Sequence, residues 1–564
     1  MPRKISQLET ATDITASDIL QVVDIEDTGM AVSGTNKKIT AQTLGNFLPV
    51  TATGSSASRS LKNRFADTVN VKDFGAVGDG VTDDTAAIQA AFVKSGATGQ
   101  KLYVPTGIYN LSNTIAWQIS NGFQIECAAG VVFKATSSFP VDNKFFYPSA
   151  TSGSNKFIWQ GGTLDGRLMP ARGSGAPDLL YIATPNIQNV CIEKAIFICN
   201  DTRSGSAGDS CLFLAEGENY TITGCTFQGA VDSAIYTSGN QLQTTGKDCV
   251  VTNNFFVECN VGYIAKRLFL NQIVSNNILE RCNAGIVVGG QADDTLLPGS
   301  KTIIANNILS RIHTAAIESR IAVSSVITGN RIEDYGINAA NTSVSGYGIL
   351  LQGSSHCVVS NNVIYYTDTF TPNVSSAALY MLPLVYNSVT YPATNNLLQG
   401  NVIRKCAIAI LEGVGGDFNI ISNNAIVDAT TRFSIKGANT IFKDVDAVNP
   451  RLHTRYGSSG SSPTVGVHEL IENDTGHLSQ VLVPNNSSWQ LLMGDVDNPL
   501  VARMGYDHSV DRWQWIAGGS GVLFQVDATG PRFGERMPTT DVPITGYIQI
   551  TDTGGTVRKL AVIA

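Results

Sequence analysis

Two aspartates stand 23 residues apart, Asp209 in GDSCLFL and Asp232 in VDSAIYT. Each lies three residues before the central aliphatic residue of a short apolar run. If the runs stack on adjacent strands, the carboxyls come within about 5 Å. Like charges that close push one pKa up, so identical residues become an acid and an anion. A separation near 5 Å is what a retaining glycosidase uses, and roughly 6.5–9.5 Å an inverting one. The local alternative is that an aspartate before a strand bonds its own turn. No nucleophile elbow, phosphate loop or HExxH motif is present, and the six histidines show no metal-ligand spacing. Neither a metal nor another cofactor is expected.

The spacing of 23 belongs to the whole middle of the chain. A short phrase recurs as VVTNNFF, IVSNNIL, IIANNIL, VITGNRI, VVSNNVI, LLQGNVI and IISNNAI. Its fixed residues are Asn254, Asn277, Asn307, Asn330, Asn362, Asn401 and Asn424, at gaps of 23, 30, 23, 32, 39 and 23. One unit is therefore stacked repeatedly, with loops of 7, 9 and 16 extra residues between some copies. Each copy has room for three short strands rich in Val and Ile, and none for a crossover helix. Such units pair in parallel as a coil, with rungs about 4.8 Å apart. The repeated asparagine is expected in a bend, bonding its amide to the next coil. Cys259, Cys282 and Cys406 fall five residues after it and Cys249 and Cys357 five before, a register that suits buried thiols. The ten cysteines contain no C-x-x-C pair and read as reduced core residues, which suits a reducing cytoplasm.

Aligning the third strand of each copy gives an inward column of Leu212, Ile235, Ile264, Ile286, Ile317, Ile349, Leu379 and Ile410. Alternation turns the next position outward: Phe213, Tyr236, Ala265, Val287, Glu318, Leu350, Tyr380 and Leu411. Arg267 and Arg320 lie three after the inward residue. Aromatic faces stack on sugars and arginines suit acidic ones, so Tyr236, Arg267, Arg320 and Tyr380 are substrate-binding candidates. Glu318, the only acid in its column, is a third catalytic candidate. It lies three rungs from Asp232, roughly 14 Å, so those two cannot form one pair. Its partner would be Asp293, Asp294, Asp334 or a neighbouring subunit's residue. Otherwise it simply pairs with Arg320 or Arg267 on a solvated face.

The chain carries 38 basic and 46 acidic residues, a net charge of −8, and only 15% charged residues. No basic patch argues for nucleic acid. The start, MPRKISQLETATD, lacks the apolar core of a signal peptide, and no apolar run reaches a membrane span.

Residues 69–92, VNVKDFGAVGDGVTDDTAAIQAAF, read as a strand over Val69 to Phe74, then turns at Gly75, Gly78 and Gly80. A helix follows, capped by Asp83 or Asp84, with Ala87, Ile88, Ala91 and Phe92 on its apolar face. Such a helix would cover the open end of a coil. This segment, with LYVPTGIYNLSNTI, resembles the N-terminal cap and first coil of the pectate-lyase-like superfamily, which includes many phage tailspikes. Residues 4–48, with ISQL, DILQVVD and KKIT-x-x-x-L, resemble the virion-attachment segment of phage tail fibres. The end, ITGYIQITDTGGTVRKLAVIA, resembles the C-terminal strands of phage fibre proteins. GDSC resembles the paired-aspartate segment of polygalacturonases, with Ser210 where that family carries a second aspartate.

The expected fold is therefore all-β, a right-handed parallel β-helix. An N-terminal virion-attachment segment would occupy 1–50, a polar linker 51–68, the β-helix 69–445, and a C-terminal β-rich trimerisation or receptor-binding region 446–564. The resemblance implies a homotrimer in the virion tail, made in the host cytoplasm and joined to phage tail or adaptor proteins through its N-terminal segment. It implies binding to a bacterial surface polysaccharide and endo-glycosidase cleavage of it. A receptor-binding fibre without catalysis and a polysaccharide lyase using Arg267, Arg320 or Lys266 as base are the alternatives.

Overall fold

The computed structural model describes residues 48–150, 152–153, 155–170, 178–199, 210–239, 247–266, 270–289, 301–386, 388–437 and 439–445. It also describes the strands Ile19–Asp24 and Thr35–Thr40, and a further series of strands between 452 and 563. Two compact units divide the chain, one running to 435 except for residues 420–423, the other holding those four residues and 436–564.

The first unit is a coil of three parallel strand stacks. Stack one holds the strands before each repeated asparagine, such as Lys247–Thr252, Leu270–Ser275 and Thr302–Ala305. Stack two holds three-residue strands after it, such as Phe255–Val257, Ile278–Glu280 and Ile308–Ser310. Stack three holds six-residue strands, among them Ser233–Ser238, Val261–Lys266, Ala284–Gly289 and Ala315–Arg320. This right-handed parallel β-helix is the architecture that the 23-residue period predicts.

The asparagines sit in the bend between stacks one and two, buried to within 2% of full occlusion. The backbone amide and Nδ2 of Asn277 both donate to Oδ1 of Asn307, at 3.0 and 2.9 Å, and its Nδ2 also donates to the Val251 carbonyl. The same pattern runs through Asn254, Asn307, Asn330, Asn362 and Asn401. The preceding residue turns the corner with a positive φ, for example Asn276 at 56° and Gly329 at 67°. Gly and Asn adopt that region at the least cost, which suits the Asn-Asn or Gly-Asn pair. A second, shorter ladder joins Asn396 to Asn419, which donates to the buried Glu412 at 2.7 Å. Its two members are too few to show as a period.

A helix, α1 (Thr85–Thr98), buries Ile88, Ala91 and Phe92 at the N-terminal end of the coil. Phe92 lies 4.8 Å from Trp117 and 5.5 Å from Phe146, ring centre to ring centre. Asp84 occupies the N-cap position, but its carboxylate accepts from the amides of Val77 and Gly78 at 2.6 and 3.0 Å. Asp83 accepts from the Thr85 amide instead. The strand expected over 69–74 ends early: Thr68–Asn70 is a strand and Val71–Phe74 a 3₁₀ turn, closed by Gly75 at φ 96°. The expected linker also carries structure. Pro49–Thr51 and Ser58–Ser60 pair as a hairpin, and Ser60 caps a short helix, Leu61–Phe65.

In the second unit, strands from Val467–Glu472 through Gly530–Phe533 pair antiparallel, and Ile544–Thr551 forms a hairpin with Val557–Ile563. All ten cysteines are free thiols, eight of them buried.

Candidate functional site: stack three and the groove along its edge

Stack three is registered strand on strand. Leu212 faces Ile235, an offset of 23, and Phe213 faces Tyr236. Asp232 lies three residues before Ile235 and is half-buried, with Ser233 Oγ donating to its Oδ2 at 3.2 Å. Asp209, its expected neighbour, lies outside the described residues. A carboxylate that pattern reasoning passed over, Asp178, is fully buried and accepts from the Ser210 amide at 2.8 Å.

The inward column differs from expectation at one rung. Ile235 faces Tyr263, not Ile264, and Tyr263 faces Ile286. Ile264 instead takes the outward place between Tyr236 and Val287. A tyrosine can occupy the coil interior because its hydroxyl is satisfied: it donates to Gln272 Oε1 at 2.6 Å and lies 3.0 Å from Thr237 Oγ1. The shift makes Lys266, facing Ser238, the register equivalent of Arg320 in its strand. Arg267 lies outside the described residues.

The outward aromatics stack on each other. Phe213 lies between Tyr181 and Tyr236, 4.6 Å from each, with interplanar angles of 17° and 12°. The Lys266 ammonium sits over the Tyr236 ring, 4.8 Å from its centre. Rings stacked this way present edges rather than faces, so Tyr236, itself buried, offers no open face to a sugar. Tyr380 stands apart, half-buried, 5.2 Å from Tyr347 with planes at 50°.

Glu318 is buried, and both its oxygens are engaged by Arg320. Nε donates to Oε1 at 2.5 Å and Nη2 to Oε2 at 3.0 Å. The pair with Arg320 thus forms within one strand, in a buried place and not on the expected solvated face. Asp293 and Asp294 lie outside the described residues, and Asp334 is committed to Thr367 at 2.7 and 2.8 Å. Among the described residues no cluster of His, Cys, Asp or Glu could hold a metal ion, and no helix is long and apolar enough to cross a membrane.

The feature that sequence reasoning missed is a groove of about 600 Å³ along the bend between stacks two and three. Asn260, Arg281, Asn283, Arg311, His313 and Asn338 line it, as do Ala230 and Val231, which directly precede Asp232. Asn283 Nδ2 donates to Asn260 Oδ1 at 2.9 Å across adjacent rungs. A signal existed. Four residues after successive ladder asparagines come Glu258, Arg281, Arg311 and Asp334, each at φ between 52° and 55°. The far wall, over 337–341, falls in the interval with 9 extra residues.

Comparison with known proteins agrees with this architecture. The family described as rhamnogalacturonase A/epimerase, pectate lyase-like, matches residues 68–287, and the right-handed β-helix region family matches 270–444. The uncharacterised protein YclG of Bacillus subtilis is 21% identical over 425 residues, 67% of this chain and 70% of that protein. Mannuronan C5-epimerase AlgE1 of Azotobacter vinelandii is 61% identical over 44 residues, which are 8% of this chain and 3% of that one. The tailspike protein 3 of bacteriophage CBA120 superposes with a TM-score of 0.45 at 13% identity, covering 80% of this chain and 72% of that one. The strand register and the two family matches together make the first unit a right-handed parallel β-helix, similar over residues 68–287 to the pectate-lyase-like family.

Proposed function

We propose that this protein binds a bacterial surface polysaccharide along the outside of its β-helix and cleaves it by hydrolysis, as a tailspike does. The observation that carries the reading is the position of Asp232, which directly follows Ala230 and Val231, two residues that line a polar groove of about 600 Å³. That volume suits a short oligosaccharide, and asparagine amides and arginines exchange hydrogen bonds with sugar hydroxyls. Asp209, one base period earlier, is the proposed second carboxylate, sharing the acid and anion roles with Asp232. The fibre-like segment 4–48 supports a place in the virion tail, attachment to other tail proteins, and assembly as a homotrimer. The 44-residue match to an enzyme named for mannuronan adds a polysaccharide-acting relative.

Binding without cleavage is the second reading, favoured by the engagement of Glu318 with Arg320. One experiment separates them. Purified protein is incubated with host capsule or lipopolysaccharide, and bound polysaccharide and new reducing ends are measured together. New ends are expected, and Asp232→Asn should lower their rate by about 100-fold or more while binding persists. Binding with no new ends establishes the second reading. Wild-type cleavage by Asp232→Asn removes that residue from the chemistry.

A further inference from the structure

We infer that the groove takes a carboxylate-bearing sugar through Arg311, so that the polysaccharide bound by this protein is an acidic one. This deepens the polysaccharide-binding reading above and rests on it. The column Glu258, Arg281, Arg311, Asp334 places two arginines on adjacent rungs between two acids, at a spacing of about 4.8 Å. Arg281 is already matched twice, by Glu258 at 3.1 Å and Glu280 at 2.5 Å. The carboxylates near Arg311 are occupied elsewhere. Glu333 accepts from Arg331 Nη2 at 3.0 Å and from the Tyr365 hydroxyl at 2.5 Å. Asp334 is held by the amide and hydroxyl of Thr367.

Arg311 is exposed and, among the described residues, makes no ion pair. Its guanidinium thus stands beside a second arginine, in a groove, with no carboxylate of its own. A fixed fork of donors in that setting suits the two oxygens of a carboxylate. The surroundings are those of a sugar site. Asn260 and Asn283 supply amides, and His313 is half-buried beside them. The opposing loop is held in shape, since Asn338 Oδ1 accepts from the amides of Ala340 and Thr342 at 3.0 and 2.9 Å. Arg311 and the loop belong to separate repeats, so one sugar residue would bridge rungs.

The test uses the full-length protein and calorimetric titration with two probes, a galacturonate trisaccharide and a sialic acid trisaccharide, each alongside its methyl ester. At least one acid should bind, and its ester at least tenfold more weakly. Arg311→Gln should lose about the same factor for the acid and nothing for the ester. Arg311→Lys, which keeps the charge without the fork, should fall between them. Raising the salt from about 50 to about 500 mM should weaken the acid alone. Circular dichroism melting of both variants checks the fold. Neither acid binding better than its ester, or Arg311→Gln binding as wild type, overturns the inference. The polysaccharide assay above fails separately. Acid binding without polysaccharide binding leaves the groove and removes the larger reading. Polysaccharide binding untouched by Arg311→Gln removes the groove alone.

Discussion

Stacks two and three carry the same aliphatic residue types on their outward faces and meet opposite environments. In stack three Ile264, Val287 and Leu350 are 6, 5 and 6% exposed although they alternate away from the coil interior. In stack two Ile278, Ile308 and Val363 are 44, 41 and 38% exposed. Both columns obey the period of 2 that marks a strand. The period therefore separates inside from outside and is silent on whether the outside is covered. Stack three is occluded on both faces through its centre, with all six residues of Ser233–Ser238 and of Ala284–Gly289 buried. A candidate placed by alternation alone on the outward column of that centre is a buried residue. That is the fate of Tyr236 and Glu318, whereas Tyr380, further along, is half-buried.

The largest test of this contrast is a charge placed on each face. Val287→Asp puts a carboxylate into an occluded place that registers with Glu318 and should cost about 3–5 kcal/mol. Ile308→Asp, on the open column, should cost about 1 kcal/mol or less. Thermal unfolding of both variants, followed by circular dichroism, reads the difference. Equal losses would mean that the open column is covered in the assembled protein and would erase the contrast.

A smaller effect separates the two readings of Glu318. Glu318→Gln leaves the Arg320 guanidinium half-served, at a site where Arg320 is about a third exposed. A loss of about 1–2 kcal/mol is expected, discounted for solvent screening. Polysaccharide cleavage, measured well below the melting temperature, should stay within about twofold. A loss of cleavage by orders of magnitude with the melting point unmoved would return Glu318 to the chemistry.

What the sequence made legible follows from which forces act locally. The asparagine ladder, the three strands per repeat and the capping helix each depend on residues adjacent in sequence or one period away, so a regular spacing reveals them. The register failed at Tyr263, because aliphatic type was matched where a satisfied tyrosine filled the interior. The groove was harder to see. One side of it is a column four residues after three ladder asparagines, Glu258, Arg281 and Arg311, which are charged and show no hydrophobic contrast, and its wall is an insertion that obeys no period. Asp232 was found by spacing, but only the structure shows that its neighbour Val231 lines that groove.

The smallest effect concerns the cysteines, which mark the same division between interior and exterior. Burial pushes the thiols of Cys225, Cys249 and Cys406 up to about 12, and that of Cys357 up to about 11. An unfolded thiol ionises near 8.5. The folded chain therefore holds protons that the unfolded chain releases above that pH. The stability contributed by these neutral thiols is fully present below about pH 8.5 and is lost as the pH rises toward 12. Melting temperature should fall progressively between about pH 9 and pH 11, and replacing Cys249 by Ala should flatten the slope while lowering the plateau. Reactivity gives the second reading. At pH 8 a thiol reagent should reach at most the half-buried Cys127 and Cys191 of the native protein, and all ten thiols after unfolding. Cys191 lies outward on stack one, 3.1 Å from Glu193 Oε1, and the eight buried thiols are shielded by the coil wall. Rapid native labelling of Cys249 or Cys282 would show that the coil opens there, and the partition between its two sides would no longer hold.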